Sequence, residues 1–144
     1  MIRITQLKKG SKSAVKELIQ LVTELRRDTS EHKGSVSDLK NIVTNKNAAL
    51  IVAKDNAHIV GMGTLYIVGK IGKRVGYIED VVVSSNYRGQ GLGEKIMRAL
   101  IAAARKNKLG TLFLTSHTNR PAANNLYMKL GFELVETNPY KLKL

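Results

Sequence analysis

Residues 77–93 read Tyr77-Ile78-Glu79-Asp80-Val81-Val82-Val83-Ser84-Ser85-Asn86-Tyr87-Arg88-Gly89-Gln90-Gly91-Leu92-Gly93, and this run decides the fold. Its first half belongs to the most β-rich stretch of the chain, residues 75–84. Its second half is a loop with three glycines that opens an amphipathic helix expected over residues 91–107. A buried strand that feeds such a loop and helix makes a place for phosphate. The first N–H groups of a helix have no partner within it, and the helix dipole puts partial positive charge there. Glycines remove the Cβ atoms that would hold a ligand off the backbone, and Arg88 strengthens the resulting diphosphate site.

The spacing narrows the ligand. A P-loop ends in Gly-Lys-Ser/Thr, whereas Gly93 is followed by Glu94 and Lys95. The dinucleotide fingerprint needs a third glycine three residues after the second. Counted from Gly89 that position is Glu94, and counted from Gly91 it is Ile96. The pattern that remains, Arg/Gln-x-x-Gly-x-Gly/Ala after a strand, is met by Arg88-Gly89-Gln90-Gly91-Leu92-Gly93.

On the N-terminal side, Ile2 and Ile4, with Leu7 as a third member, alternate with polar residues as a short first strand. Ser11 and Ser13 offer caps for a helix in which Val15, Leu18, Ile19, Val22 and Leu25 keep helical spacing to about residue 27. A polar loop over residues 28–34 and a second helix over 37–44 follow. Two apolar runs, residues 48–54 and 59–68, are joined by Asp55-Asn56-Ala57-His58 as a hairpin, and a second turn at residues 69–73 leads into the decisive strand. On the C-terminal side we expect a strand over 111–115, a helix over 121–130 with Pro121 in its first turn and Gly131 past its end, and closing strands near Phe132 and Tyr140. The order β-α-α-β-β-β-α-β-α-β-β describes an α/β fold, a mixed sheet with helices on its faces. With no repeat and no linker, one domain over residues 1–144 is expected.

Composition excludes several classes. The chain has no cysteine, so disulfides and thiolate metal sites are out. His32, His58 and His117 lack ligand spacing, and no metal is expected. No apolar run approaches the roughly 20 residues of a membrane helix, and the first residues lack a secretion signal, so no membrane role and a cytoplasmic location are expected. Net charge is +13, from 24 basic and 11 acidic residues, with a dense block between Arg88 and Lys108. Such a field attracts phosphate-bearing ligands, nucleic acid or acidic surfaces; a lysine-rich surface that only aids solubility reads equally well. Two phenylalanines, five tyrosines, no tryptophan and no recognition signature argue against a nucleic-acid module.

The glycine run after its strand resembles the acetyl-CoA motif of the GNAT superfamily of N-acetyltransferases. A second stretch, Asn124-Asn125-Leu126-Tyr127-Met128-Lys129-Leu130-Gly131-Phe132, resembles that superfamily's closing helix, which commonly reads Leu-Tyr-x-Lys-x-Gly-Phe. The two stretches stand in the expected order, and the match covers roughly residues 48–132. The resemblance implies a mostly antiparallel central sheet flanked by helices, with acetyl-CoA as co-substrate. It implies that Val81, Val82 and Val83 lie along the pantetheine arm through main-chain groups, and that Arg88, Gly89, Gln90, Gly91, Leu92 and Gly93 grip the diphosphate. Asn124 would contact the pantetheine or a nearby phosphate, and Tyr127 would supply a hydroxyl to the departing thiolate. Glu79 is the candidate base, because family members often carry a carboxylate on this strand. Asp80 points to the opposite face of an ideal strand, though a splay or bulge would change which carboxylate faces the site.

The acceptor is less legible. The strand over residues 77–83 also resembles that of glucosamine-6-phosphate N-acetyltransferases. That branch carries a carboxylate after the next strand, and this chain has no acidic residue between Glu94 and Glu133, which argues against that substrate. Glu79, Asp80 and His117 are candidates for contact with a primary amine of a small molecule or protein. The positive field favours an amine that also carries an anionic group. A non-catalytic acetyl-CoA sensor of the same fold stays open beside the enzyme, and a homodimer is compatible with the resemblance.

Overall fold

Serines start both early helices. In the computed structural model, which describes residues 1–26 and 34–144, the Ser11 hydroxyl accepts from the Ala14 amide at 3.1 Å and opens α1, Lys12–Arg26. Ser35 and Asp38 form a reciprocal capping box at the start of α2, Val36–Val43. The first strand is β1, Ile2–Gln6. The polar loop expected over residues 28–34 lies outside the described residues except for Gly34.

The two apolar runs form β2, Ala48–Asp55, and β3, His58–Lys70, joined by a tight turn in which Asn56 takes φ 53°. Their buried residues run on with little alternation because helices cover both faces of the sheet. On one face Leu18 and Leu21 of α1 and Leu39 of α2 pack with Leu50, Val52 and Met62. On the other lies α3, Leu92–Lys106, whose Ile96, Met97 and Leu100 are fully buried. Gly63 allows that approach: a Cβ there would stand 2.8 Å from Leu100 Cδ1 and 3.0 Å from Ile96 Cγ2.

The decisive strand is β4, Lys73–Val83, and the two-residue β5, Leu112–Phe113, completes a sheet in the order β1-β2-β3-β4-β5. The first three pairings are antiparallel and β4 with β5 is parallel. This is the mixed, mostly antiparallel sheet expected from the sequence. These elements belong to a compact unit, Met1–Leu114.

A second unit, Thr115–Leu144, holds α4, Pro121–Lys129, with Pro121 at its start and Gly131 at φ 95° just beyond its end. The closing strands expected near Phe132 and Tyr140 do not form; residues 132–144 carry no regular secondary structure. Leu134, Tyr140, Leu142 and Leu144 stand in solvent, and Pro139 has no N–H for a ladder. Alternation without a paired neighbour does not make a strand. Among the described residues no helix is long and apolar enough to cross a membrane.

Candidate active site

The glycine loop folds as the sequence chemistry requires. β4 ends at Val83, a single 3-10 turn spans Ser85–Tyr87, and α3 begins at Leu92 behind Gly91, which takes φ 74° and ψ 11°. Gly89 takes φ 75°. A Cβ at either glycine would meet nothing within 4 Å, so each glycine borders open space. Glycines bordering open space at the positive end of a 15-residue helix suit a diphosphate, which the first N–H groups of such a helix can hold.

Neighbouring elements hold the loop. Glu24 on α1 accepts from the Ser85 amide at 3.0 Å, and the Tyr87 hydroxyl donates to Asp55 at 2.9 Å. Arg88 is turned back along the loop: its Nε donates to the Val83 carbonyl at 3.1 Å, and its guanidinium lies 3.6 Å from Glu24. It remains largely exposed.

Beside the loop, β4 has a free edge. Gly76 and Tyr77 pair with β5, at Leu112 and Phe113, and among the described residues of the unit 78–83 have no strand on that side. An extended ligand arm fits such an edge by adding to the sheet. Val81, Val82 and Val83 run along it, with the Val82 side chain buried in the α1 core.

A bulge rearranges the two carboxylates. Thr64 lies opposite Glu79 and Met62 opposite Val82, so Asp80 and Val81 together face Gly63. Asp80 takes φ 53°, a left-handed conformation that aspartate tolerates better than most residues. The extra residue turns Val81 toward α3 and lets Asp80 reach Arg26 at the end of α1, at 3.7 Å. The opposite-face placement expected for Asp80 on an ideal strand therefore does not hold; both carboxylates serve the α1 side. Partial burial, then the Asp80 charge, push the Glu79 carboxyl above the ordinary carboxylate range, while Arg26 pulls it back down. Tyr66 on β3 sits in the same field: burial, Asp80 and Glu79 all raise its phenol. Tyr77, two residues before Glu79, stacks on Phe113 with ring centroids 5.5 Å apart.

In the second unit Asn124 braces the turn before α4, its Nδ2 donating to the carbonyls of His117 and Arg120 at 3.0 and 2.8 Å. His117 is exposed, and its Nδ1 accepts from the Asn119 amide at 3.2 Å. Tyr127 is half-buried, edge-on to Phe132 at 6.1 Å; burial raises its phenol and Arg120 lowers it. The structure thus gathers Glu79, Asp80, the valines and the glycine loop in one unit and Asn124, His117 and Tyr127 in the other. Sequence reasoning missed Arg26, Thr64 and Tyr66. The even-numbered positions of β3 gave a signal for the last two, since they share the face of the buried Met62.

Residues 15–132 match the model of the acetyltransferase (GNAT) family. An uncharacterized N-acetyltransferase of Bacillus subtilis, YhfO, is 28% identical over 135 residues, 92% of this chain and 90% of that protein. A glucosamine 6-phosphate N-acetyltransferase of Trypanosoma brucei brucei is 37% identical over 108 residues, 69% of this chain and 71% of that protein. The crystal structure of a Trypanosoma brucei acetyltransferase superposes with a TM-score of 0.80 at 28% identity, over the whole of both chains.

Proposed function

The chain belongs to the acetyltransferase (GNAT) family, whose members use acetyl-CoA to acetylate amines, and from that premise we propose a direct transfer. In this reading residues 1–144 work as one N-acetyltransferase domain in the cytoplasm, on a primary amine of a small molecule or protein, with both substrates bound together. The observation that carries it is the glycine loop before α3, with Gly89 and Gly91 at positive φ beside open space, continuous in sequence with the edge of β4 left unpaired among the described residues.

Acetyl-CoA supplies an activated acetyl thioester. Residues 88–93 hold its diphosphate by backbone N–H groups and the Arg88 charge, and Asn124 contacts the pantetheine or a phosphate. Main-chain groups of Val81, Val82 and Val83 align the pantetheine arm, and an N–H among them polarises the acetyl carbonyl. Glu79 takes the proton of the attacking amine, directly or through water. Its raised proton affinity brings it nearer to neutral pH, where a base works best. Asp80 and His117 contact the acceptor. The Tyr127 hydroxyl donates to the departing thiolate, and its raised pKa keeps that proton in place until it is needed.

The test is release of free thiol from acetyl-CoA across a panel of amines. Amine-dependent release that falls in Glu79→Gln and Tyr127→Phe supports the reading. Tight acetyl-CoA binding with no release on any amine would instead identify a sensor.

A further inference from the structure

The α1 side of β4 holds more than acetyl transfer requires. Thr64, across from Glu79, is 2% exposed, and among the described residues its hydroxyl has no hydrogen-bond partner. Buried polar groups without partners are rare and point to a missing one. Tyr66 lies on the same face, within the field of Glu79 and Asp80. At the rim stands Arg26, whose guanidinium meets Asp80 at 3.7 Å, a charge contact longer than a hydrogen bond. About half of the Arg26 side chain is exposed, at 51%, and among the described residues its fork of N–H donors makes no hydrogen bond. This face of the sheet thus sets two carboxylates and an orphan hydroxyl beside an open guanidinium fork.

These groups fit a ligand of both signs. An ammonium is drawn to Glu79 and Asp80, whose combined charge exceeds that of Arg26. The fork fits a carboxylate or phosphate, which it can hold through two parallel hydrogen bonds. Resting on the acetyl-transfer reading, we infer that the acceptor is zwitterionic: its amine lies between Thr64 and the Glu79–Asp80 pair, and its anionic group is bound by Arg26. Hydrogen bonds of about 3 Å at each end, around an ion pair of 3.7 Å, hold the amine and the anion within roughly 10 Å of each other. A small amino acid or an amino sugar phosphate spans that distance, and a long polyamine has no anion to offer.

The experiment measures kcat/KM with the full chain and acetyl-CoA on matched acceptors. A carboxylate arm compares β-alanine with β-alaninamide, and a phosphate arm compares glucosamine 6-phosphate with glucosamine. The anionic member of at least one pair is expected to be favoured tenfold or more, and the arm that shows it identifies the anion. Arg26→Met should bring that ratio close to one, and Arg26→Lys, which keeps the charge without the fork, should restore part of it. The ratio separates anion recognition from any effect of Arg26 on Glu79, because a change in the base acts on both members alike. Equal turnover within both pairs, or a ratio untouched by Arg26→Met, overturns the inference. So does acetylation of other amines with none of the four accepted, and in that case acetyl transfer itself stands. Loss of thiol release on every amine removes the acetyl-transfer reading and the inference together.

Discussion

Two glycines with nearly the same positive φ offer a controlled test of the phosphate cradle. Gly91 takes φ 74° at the start of α3, and Gly72 takes φ 80° in the turn between β3 and β4, at the opposite end of β4. A Cβ would meet nothing within 4 Å at either position, so alanine adds left-handed strain without a clash. That strain costs about 1–2 kcal/mol, and in a chain of this length it lowers Tm by roughly 3–8 °C. Urea denaturation should show the same loss in Gly72→Ala and Gly91→Ala. They should part on coenzyme A. The Gly91→Ala methyl enters the space assigned to the diphosphate and costs at least one charge-assisted hydrogen bond, about 1.5–3 kcal/mol. That corresponds to a Kd raised roughly 10- to 150-fold. By calorimetric titration Gly72→Ala should bind as the unmodified chain does. Equal affinity in both variants would refute the cradle, because the strain is shared and only the methyl's position differs.

Other expectations follow from the same geometry. The acid limb of the kcat/KM–pH profile should lie above the ordinary carboxylate range, and Asp80→Asn should move it down by removing the neighbouring charge that raises Glu79. A carboxyl with a raised folded pKa favours the folded state below its unfolded pKa and loses that contribution as pH rises through its folded value. Glu79→Gln should therefore gain stability relative to the unmodified chain as pH rises through that window in denaturation midpoints, while its kcat falls about 100-fold. Tyr127→Phe should lower kcat by about 100-fold with little change in coenzyme A affinity; an unchanged rate removes Tyr127 from the mechanism. Leu100→Ala, at a fully buried position on α3, should cost about 2–5 kcal/mol in urea denaturation. A loss under 1 kcal/mol would mean that α3 is not packed on the sheet as described.

Local chemistry made much of this readable. The glycine loop, the start of α3 and the Ser11 cap depend on residues a few positions apart, and their side chains name the backbone states they favour. The bulge at Asp80 depends on which residue of β3 stands opposite, and nothing within Ile78-Glu79-Asp80-Val81 marks a lost register. The carboxylate geometry was hidden for that reason, and so was the Arg26 contact, which joins residues 54 positions apart in sequence. The strands expected near Phe132 and Tyr140 failed for a related cause. Alternation in Tyr140-Lys141-Leu142-Lys143-Leu144 reports a capacity to pair, whereas a strand also needs an edge to pair with, and these side chains remain in solvent.

The most direct measurement of the central claim is an amide-resolved NMR titration of the full chain with coenzyme A. Binding of the diphosphate at the opening of α3 should shift the N–H resonances of Gly89, Gly91, Leu92, Gly93 and Glu94 first and furthest, with Val81 to Val83 moving along the pantetheine edge. Saturable shifts that leave the amides of residues 89–94 in place would contradict it.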